Sequence, residues 1–246
     1  MYLNNQLTAL AIIPGILLIG YVYGKDKVEK EPIGLIIKLI MFGAITTEIA
    51  RVVEGALFQA LPQYPKGTLG YALITGFCIA AFTEELVKFL ALRLGSWRHP
   101  SFNYRFDGIV YGVSVAVGFA LLENIMYVAM YGLQTAIVRA FTAVPLHAFS
   151  GVFMGVFYSY SKKAAILGKS SASTSFTLMA LIVPMLVHGT YDFLAMLAAP
   201  GIQIVFYIFV ILLYIVAIKT IKKNSEEDRR GSFYPRARVI EYDQDI

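Results

Sequence analysis

Long apolar segments separated by short polar ones run along most of the chain. A helix needs roughly 20 mostly apolar residues to cross a bilayer. Seven stretches meet that requirement: about 7–23, 33–57, 69–92, 108–131, 140–160, 176–198 and 202–221. Helices are favoured because backbone groups in lipid must pair within their own segment, and these continuous runs lack the alternation of a transmembrane barrel. The pattern predicts an all-α, polytopic bundle of about seven transmembrane helices.

Composition supports a membrane protein. Of the 246 residues, 58% are hydrophobic and only 15% are charged, whereas soluble domains average about 25% charged residues. We therefore expect a multi-pass protein of the cell membrane in contact with the lipid bilayer. Residues 1–221 would form the bundle, and residues 222–246 a charged, flexible cytoplasmic tail. The single Cys78 excludes an intramolecular disulfide.

The basic residues predict the orientation of the bundle. If the N-terminus lies outside, the inner loops and the tail hold all but three of the 21 basic residues; the exceptions are Lys66, Arg139 and the intramembrane Arg51. Such an excess of positive charge marks the cytoplasmic side. The sequence thus predicts an outside N-terminus and a cytoplasmic C-terminus. Because the basic residues follow this topology, we expect no nucleic-acid partner.

Ionisable residues lie within several predicted spans, where they are energetically costly and are functional candidates by default. Apart from the second span, they fall in spans three to six: Glu84, Glu85, Lys88, Glu123 (with Asn124 beside it), His147, His188 and Asp192. If these four spans converge, their side chains would line a polar cavity inside the bilayer. The series Glu48–Arg51–Glu54 in span two has i, i+3 spacing and can neutralise itself, so we interpret it as structural.

The adjacent glutamates of span three are candidate catalytic residues. Glu84 and Lys88 share a helix face, while Glu85 points elsewhere. A salt bridge to Lys88 would explain Glu84 structurally but leave Glu85 without a role. Two carboxylates in a low-dielectric environment disfavour each other's charge, and a carboxylate so perturbed can act as a general base on water.

The histidines and the remaining acid add a second set of candidates. His188 and Asp192 are one helical turn apart, so Asp192 can orient the imidazole, or both can reach one metal or one substrate oxygen. Glu123 lies near mid-span, where its alternative role is an interhelical hydrogen bond. His147 is alone on its span and has the same alternative. Zinc is a candidate cofactor, with His147, His188 and Glu123 as candidate ligands.

Four motifs follow one another in successive spans: Glu84-Glu85-x-x-Lys88, Phe119-x-x-x-Glu123-Asn124-x-x-Tyr127, Pro145-Leu146-His147-Ala148 and His188-Gly189-x-x-Asp192-Phe193. In this order they resemble the PrsW intramembrane proteases, which are related to the membrane glutamate proteases that include the CAAX prenyl endopeptidases. The resemblance runs from about residue 71 to residue 198, and the protease core would span about 69–198. The first two spans and the tail carry no matching motif.

The resemblance implies proteolysis of a membrane-anchored protein, such as a single-span anti-sigma factor. Glu84 and Glu85 would be the pair that activates water, and His188 the later essential histidine. Glu123 stands where the prenyl endopeptidases have a histidine, and Asp192 where they have an asparagine. These two differences argue against a prenylated substrate. Both a metal-dependent and a metal-free glutamate mechanism are compatible with the resemblance.

Two other functions use the same residues. A proton-coupled transporter or channel would employ the intramembrane Glu, His and Asp side chains as a relay, although the absence of an evident internal repeat disfavours it. A non-catalytic receptor or assembly factor would use them only to pack helices. The leading hypothesis is an endopeptidase. The side of the membrane from which its substrate enters is left open.

Overall fold

A computed structural model of the chain describes residues 5–228 and 231–233. Regular structure in these residues is helical throughout, which confirms the all-α prediction. The helices are α1 (Asn5–Lys25), α2 (Ile33–Ala60), α3 (Leu69–Leu73), a π-helical segment (Ile74–Ala81), α4 (Phe82–Ser96), α5 (Arg105–Tyr131), α6 (Leu133–Phe141), α7 (Ala143–Ile166), α8 (Ser170–Met196) and α9 (Ile202–Asp228).

Six helical stretches in the described part of the chain are long and apolar enough to cross a membrane. They are α1, α2, α5, α6 together with α7, α8 and α9. The predicted third span is helical as well, but the π-helical segment divides it and α4 carries the charges. Hydrogen bonds join segments at opposite ends of the bundle. Ala198 N in one loop donates to Gly67 O in another at one end, and Lys162 Nζ, near the end of α7, donates to Trp97 O after α4 at the other. This arrangement fits a polytopic bundle whose connections alternate between two ends.

The last helix extends past the predicted end of the bundle at residue 221. Asn224, Ser225 and Asp228 are buried. The Asp228 carboxylate accepts a hydrogen bond from Phe106 N, and Ser225 Oγ donates to Lys25 O. The start of the predicted tail is therefore part of the bundle, because these polar side chains cap neighbouring helix ends. The rest of the tail, 229–230 and 234–246, lies outside the described residues.

Glycines bring α5 into close contact with its neighbours. A Cβ on Gly112 would lie 2.4 Å from Gly151 O on α7, and a Cβ on Gly118 would lie 2.0 Å from Ile40 O on α2. Small residues let helix backbones approach closely in membrane bundles. The result is a central α5 whose inner half is buried on all sides, from Phe106 to Ala120.

This packing yields a first prediction. Replacing Gly112 by Ala forces a Cβ against a carbonyl oxygen, so the folded state should lose about 1–3 kcal/mol. The measurement is reversible unfolding in mixed micelles. Gly20→Ala is the matched control, because a Cβ at that position in α1 meets nothing within 4 Å. Equal stability of the two variants would contradict the close α5–α7 contact.

A group of carboxylates is buried at the predicted cytoplasmic end, where the α1–α2 loop meets α5 and α9. Burial raises the pKa of Asp26 from its usual 3.8 to about 6, opposed by Lys30 and reinforced by Asp228 and Glu29. Burial likewise raises the pKa of Glu31 from 4.5 to about 7, against the opposing hydrogen bonds of Tyr111 and Asp107. Folding therefore shifts both loop residues toward their protonated forms relative to the unfolded chain.

The upward shift of both pKa values determines how the free energy of unfolding changes with pH. The unfolded chain releases these protons near pH 4, whereas the folded chain keeps them up to about 6 or 7. The free energy of unfolding should therefore fall as the pH rises from about 4 to about 7. Unfolding in micelles at several pH values measures this slope, which should be shallower for Glu31→Gln than for Glu29→Gln in the same loop. Identical slopes would refute the assignment to Glu31.

Candidate active site

The two glutamates of α4 share one lysine. Lys88 Nζ lies 2.7 Å from Glu85 Oε1 and 3.4 Å from Glu84 Oε2, and all three side chains are buried. The ammonium also lies 4.4 Å from the ring centroid of Phe119 on α5. The i, i+3 and i, i+4 spacings bring both carboxylates to the same cation. Lys88 therefore pairs with Glu85 more closely than with Glu84, and the predicted Glu84–Lys88 bridge is only part of the arrangement.

The π-helical segment that precedes α4 packs closely against α8. A Cβ on Gly189 would lie 2.2 Å from Phe77 Cδ1, and one on Gly76 would lie 3.0 Å from Phe193 N. Glycine at these two positions permits the contact, and π-helical turns often occur at functional sites. The approach places His188 Nδ1 2.8 Å from Glu85 Oε1.

His188 has a carboxylate on each side. Glu85 faces Nδ1, and Asp192 Oδ2 lies 3.4 Å from Nε2. The Asp192 contact is the pairing expected from the i, i+4 spacing. Because a carboxylate only accepts hydrogen bonds, the short Glu85 contact places a proton on Nδ1 of His188. The ion pair with Lys88 is therefore not the only role of Glu85, because Glu85 also orients the imidazole of His188.

His147 joins the α4 cluster to α5. It lies in the first turn of α7, where Pro145 is tolerated because the first amide groups of a helix have no partner within it. Its Nδ1 lies 3.2 Å from Lys88 Nζ, and its Nε2 lies 3.0 Å from Glu123 Oε2. An ammonium has no acceptor, so Nδ1 accepts and Nε2–H donates to Glu123. The two contacts define one tautomer.

Arg139 is a site residue, although the spans predicted from the sequence leave it in an outer loop. It lies on the short α6, with Nη2 2.5 Å from Glu123 Oε2 and Nε 2.8 Å from Asn124 Oδ1. Asn124 in turn donates from Nδ2 to Ala11 O on α1. Glu123 is therefore an ion-paired carboxylate and Asn124 a helix-bridging amide. The sequence feature that could have indicated this role is a lone arginine on a segment too short to span the bilayer.

Three buried side chains form a group suited to a metal ion: Glu84, His147 and His188. One donor atom from each lies within 4.8 Å of the others. Glu84 Oε2 is 3.8 Å from His147 Nδ1 and 3.9 Å from His188 Nδ1. The set shares both histidines with the predicted ligands, but Glu84 takes the place of Glu123, which Arg139 already neutralises. Two imidazoles and one carboxylate are a donor set that catalytic zinc sites use, so these residue types fit a metal. To bind an ion, each histidine would have to release one ring nitrogen from its present hydrogen-bond partner.

A cavity of about 620 Å³ lies above this cluster. Glu84, His147 and His188 form part of its wall, whereas Glu85 and Lys88 do not line it. The wall continues to Phe58, Tyr131 and Met196, at the ends of α2, α5 and α8 that the charge pattern places outside. The histidines and Glu84 are thus the cluster members that a molecule in the cavity would meet.

The interpretation of Glu48, Arg51 and Glu54 as one self-neutralising series is wrong for Glu54. Arg51 pairs with Glu48 through two hydrogen bonds, from Nη2 at 2.6 Å and Nε at 3.0 Å. Glu54 makes no ion pair among the described residues, and it lines the cavity instead. An arginine flanked by two glutamates at i−3 and i+3 needs only one of them, so spacing alone did not reveal which carboxylate was free.

Carboxylates and imidazoles converging beneath a cavity within the membrane are typical of a membrane-embedded hydrolase. The family model for "PrsW family intramembrane metalloprotease" matches residues 31–218. The chain is 34% identical to Protease PrsW of Bacillus subtilis (strain 168) over 183 residues, 74% of this chain and 79% of that protein. It is 32% identical to Protease PrsW of Geobacillus kaustophilus over 218 residues, 89% and 92% of the two chains.

The similarity covers most of the chain in a further relative. Protease PrsW of Clostridioides difficile (strain 630) is 29% identical over 234 residues, 93% of this chain and 95% of that protein. No solved structure gives a significant match. The chain belongs to the PrsW family of intramembrane metalloproteases. It is a multi-pass membrane peptidase, and the family resemblance inferred from the four motifs is confirmed.

The buried lysine yields a third prediction. Lys88→Met would leave two buried carboxylates without their cation, and removing one partner of a buried pair destabilises a fold by about 3–5 kcal/mol. Arg51→Met is the matched control, since it breaks an exposed i, i+3 pair of a type that contributes about 0–1 kcal/mol. Unfolding of both variants in mixed micelles compares them. Losses of similar size would show that Lys88 is not required by the buried glutamates.

Proposed function

We propose that the chain is an endopeptidase that hydrolyses a peptide bond of a single-span, anti-sigma-factor-like membrane protein, with Glu84 accepting the proton of the attacking water. The observation that carries this proposal is the placement of Glu84, alone of the two adjacent glutamates, in the wall of the cavity. A general base must reach the water from which it takes the proton. Glu84 meets that requirement, and Glu85 lies behind it.

Glu85 acts as a positioning residue in this mechanism. Its Oε1 lies 2.8 Å from His188 Nδ1 and 2.7 Å from Lys88 Nζ. These contacts hold the imidazole against the cavity, where it can polarise the carbonyl of the scissile peptide and stabilise the oxyanion. His147 is held similarly by Lys88 and Glu123. Lys88 and the carboxylates of Glu85 and Glu123 thereby hold the two imidazoles in position before the substrate binds.

A metal ion is compatible with the same side chains. Glu84, His147 and His188 would hold it, and a bound Zn²⁺ would supply Lewis-acid polarisation and a more acidic water. Glu85 and Lys88 do not line the cavity and would remain behind the ligand side chains, whereas Asp192 is part of the cavity wall beside His188. Lys88 Nζ lies within 3.4 Å of Glu84 Oε2, so this lysine supplies positive charge to the cluster in the absence of a metal.

The cavity wall suggests how a substrate reaches the cluster. Past Ala50, no residue of α2 up to Ala60 is buried, and the cavity lies between this half of the helix and α5 and α8. A peptide segment just outside the membrane could enter here. This supports cleavage at the outer side, with the orientation inferred from the basic residues.

The fourth prediction tests the reaction. Purified protein in liposomes is incubated with single-span candidate substrates. Glu84→Gln should reduce cleavage by about 10²–10⁴-fold, the usual range for a lost general base; Glu85→Gln and His188→Ala should reduce it because the imidazole is misplaced or absent. Glu29→Gln, which alters an exposed carboxylate that does not line the cavity, is the control and should cleave normally. Normal turnover by Glu84→Gln would exclude the proposed base.

A chelator series in the same liposomes separates the two forms of the mechanism. Loss of cleavage on chelation, restored by Zn²⁺ alone, would establish metal dependence, and metal content of the purified protein should then fall in His147→Ala. Cleavage unchanged by chelation would establish the metal-free form, in which Lys88 is the cation of the cluster. Only the metal-free outcome keeps Glu84 as the proposed base, because a carboxylate that holds an ion is not free to take the proton of the attacking water.

A further inference from the structure

One carboxylate in the cavity wall has no cation of its own. The lining contains four acidic side chains, Glu54, Glu84, Glu123 and Asp192. Three of them have partners within 4.0 Å: Lys88 for Glu84, Arg139 for Glu123 and His188 for Asp192. Among the described residues, Glu54 has no partner at that distance. A carboxylate is therefore available in the wall that the protein itself does not neutralise.

In the described part of the chain, Glu54 lacks a hydrogen-bond partner as well as a cation. Its Oε1 is buried and has no hydrogen-bond partner among the described residues. A buried acceptor without a partner is destabilising, by about 1–3 kcal/mol for a neutral group and more for a charged one. Arg51, one turn away, also lines the cavity, but it is held by two hydrogen bonds to Glu48. Nothing in the adjacent turn of α2 therefore offsets this destabilisation.

Glu54 lies close to the proposed reacting groups but is not one of them. It interacts electrostatically with His188, Asp192 and Glu123, so it is close to the cluster while lying on α2, which carries no other proposed catalytic group. It is not a member of the Glu84–His147–His188 group. A carboxylate there is set to contact a part of the substrate beside the scissile bond and not the bond itself.

We propose that Glu54 is a specificity-determining residue that binds a lysine or arginine side chain of the substrate next to the scissile peptide. The proposal rests on the proposed peptidase function and names a feature of its substrate. A basic side chain supplies the missing cation, and a charged hydrogen bond to a buried carboxylate is stronger than a neutral one.

The rest of the wall suits the stem of such a side chain. Phe58, Tyr127 and Met130 line the same cavity. Lysine and arginine pack their methylene stems along apolar surface while the charge reaches a polar partner, and aromatic rings attract the cation itself. Arg139 already occupies the face of Tyr127, with Cζ 4.0 Å from the ring centroid, so the basic side chain would use the part of the wall near Phe58.

The fifth prediction uses single-span reporter peptides in which one lysine is scanned through the outer juxtamembrane segment, each compared with its glutamine counterpart. Binding is measured in liposomes in a Glu84→Gln background, so that the result does not depend on turnover. One lysine position should bind about ten- to a hundredfold more tightly than glutamine. Adding Glu54→Gln should abolish that preference, and adding Glu54→Lys should transfer it to a glutamate at the same position.

Glu29→Gln in the same background is the control, because it changes an exposed carboxylate that does not line the cavity. It should keep the lysine preference. A lysine preference of equal size with and without Glu54, or no preference at any position, would overturn the assignment.

Cleavage of the same peptides by the unaltered protein separates the two proposals. Cleavage without a lysine preference in binding rejects the role of Glu54 and leaves the peptidase mechanism standing. A Glu54-dependent preference in binding, combined with absence of cleavage of every bound peptide, supports the role of Glu54 in recognition and counts against the proposed reaction.

Discussion

The structure depends on placing one ammonium among several buried acidic and imidazole groups in the interior of the helix bundle. Lys88 lies within hydrogen-bonding distance of Glu84, Glu85 and His147. Isolated buried charges are strongly unfavourable, and a buried pair is tolerated when its remaining polar atoms are also satisfied. Each partner of Lys88 then extends the network: Glu85 reaches His188, and His147 reaches Glu123. Removing any one charge therefore leaves other charges of the cluster uncompensated.

Close helix packing makes that network possible. α5 contacts α2 and α7 backbone to backbone at Gly118 and Gly112, and α8 approaches the π-helical segment at Gly189. In lipid, where the hydrophobic effect does not drive helices together, such contacts and interhelical hydrogen bonds supply the association. They also fix distances of about 3 Å between side chains on four different helices. The precision of the site thus depends on glycines that let the helices approach closely, two of which, Gly118 and Gly189, are next to site residues in the sequence.

The site has two layers with different functions. Glu84 and the two histidines face the cavity, and the side chains behind them, Glu85 and Lys88, hold them in place. Positioning groups behind the reacting ones are common in hydrolytic sites, since the orientation and tautomer of an imidazole are set by the contact on its far side. The outer half of α2 has a different character. It carries a carboxylate without a partner, and it is attached to the bundle more loosely than the helices that carry the cluster.

The sequence by itself determined the helical class, the approximate spans, the predicted orientation and the four motifs that place the chain in its family. These follow from the hydrophobic pattern, the basic residues and local spacing, which act within one helix or one loop. It also placed Glu84, Glu85, His147 and His188 among the candidate site residues. The tertiary structure alone decided which of them meet. Glu84, and not Glu123, lies with the two histidines, and Arg139 on the short α6 pairs with Glu123. Arg51 pairs with Glu48, which leaves Glu54 without an ion pair among the described residues. Spacing along a helix cannot settle such choices, because two equivalent partners one turn away differ only in what the neighbouring helices bring against them.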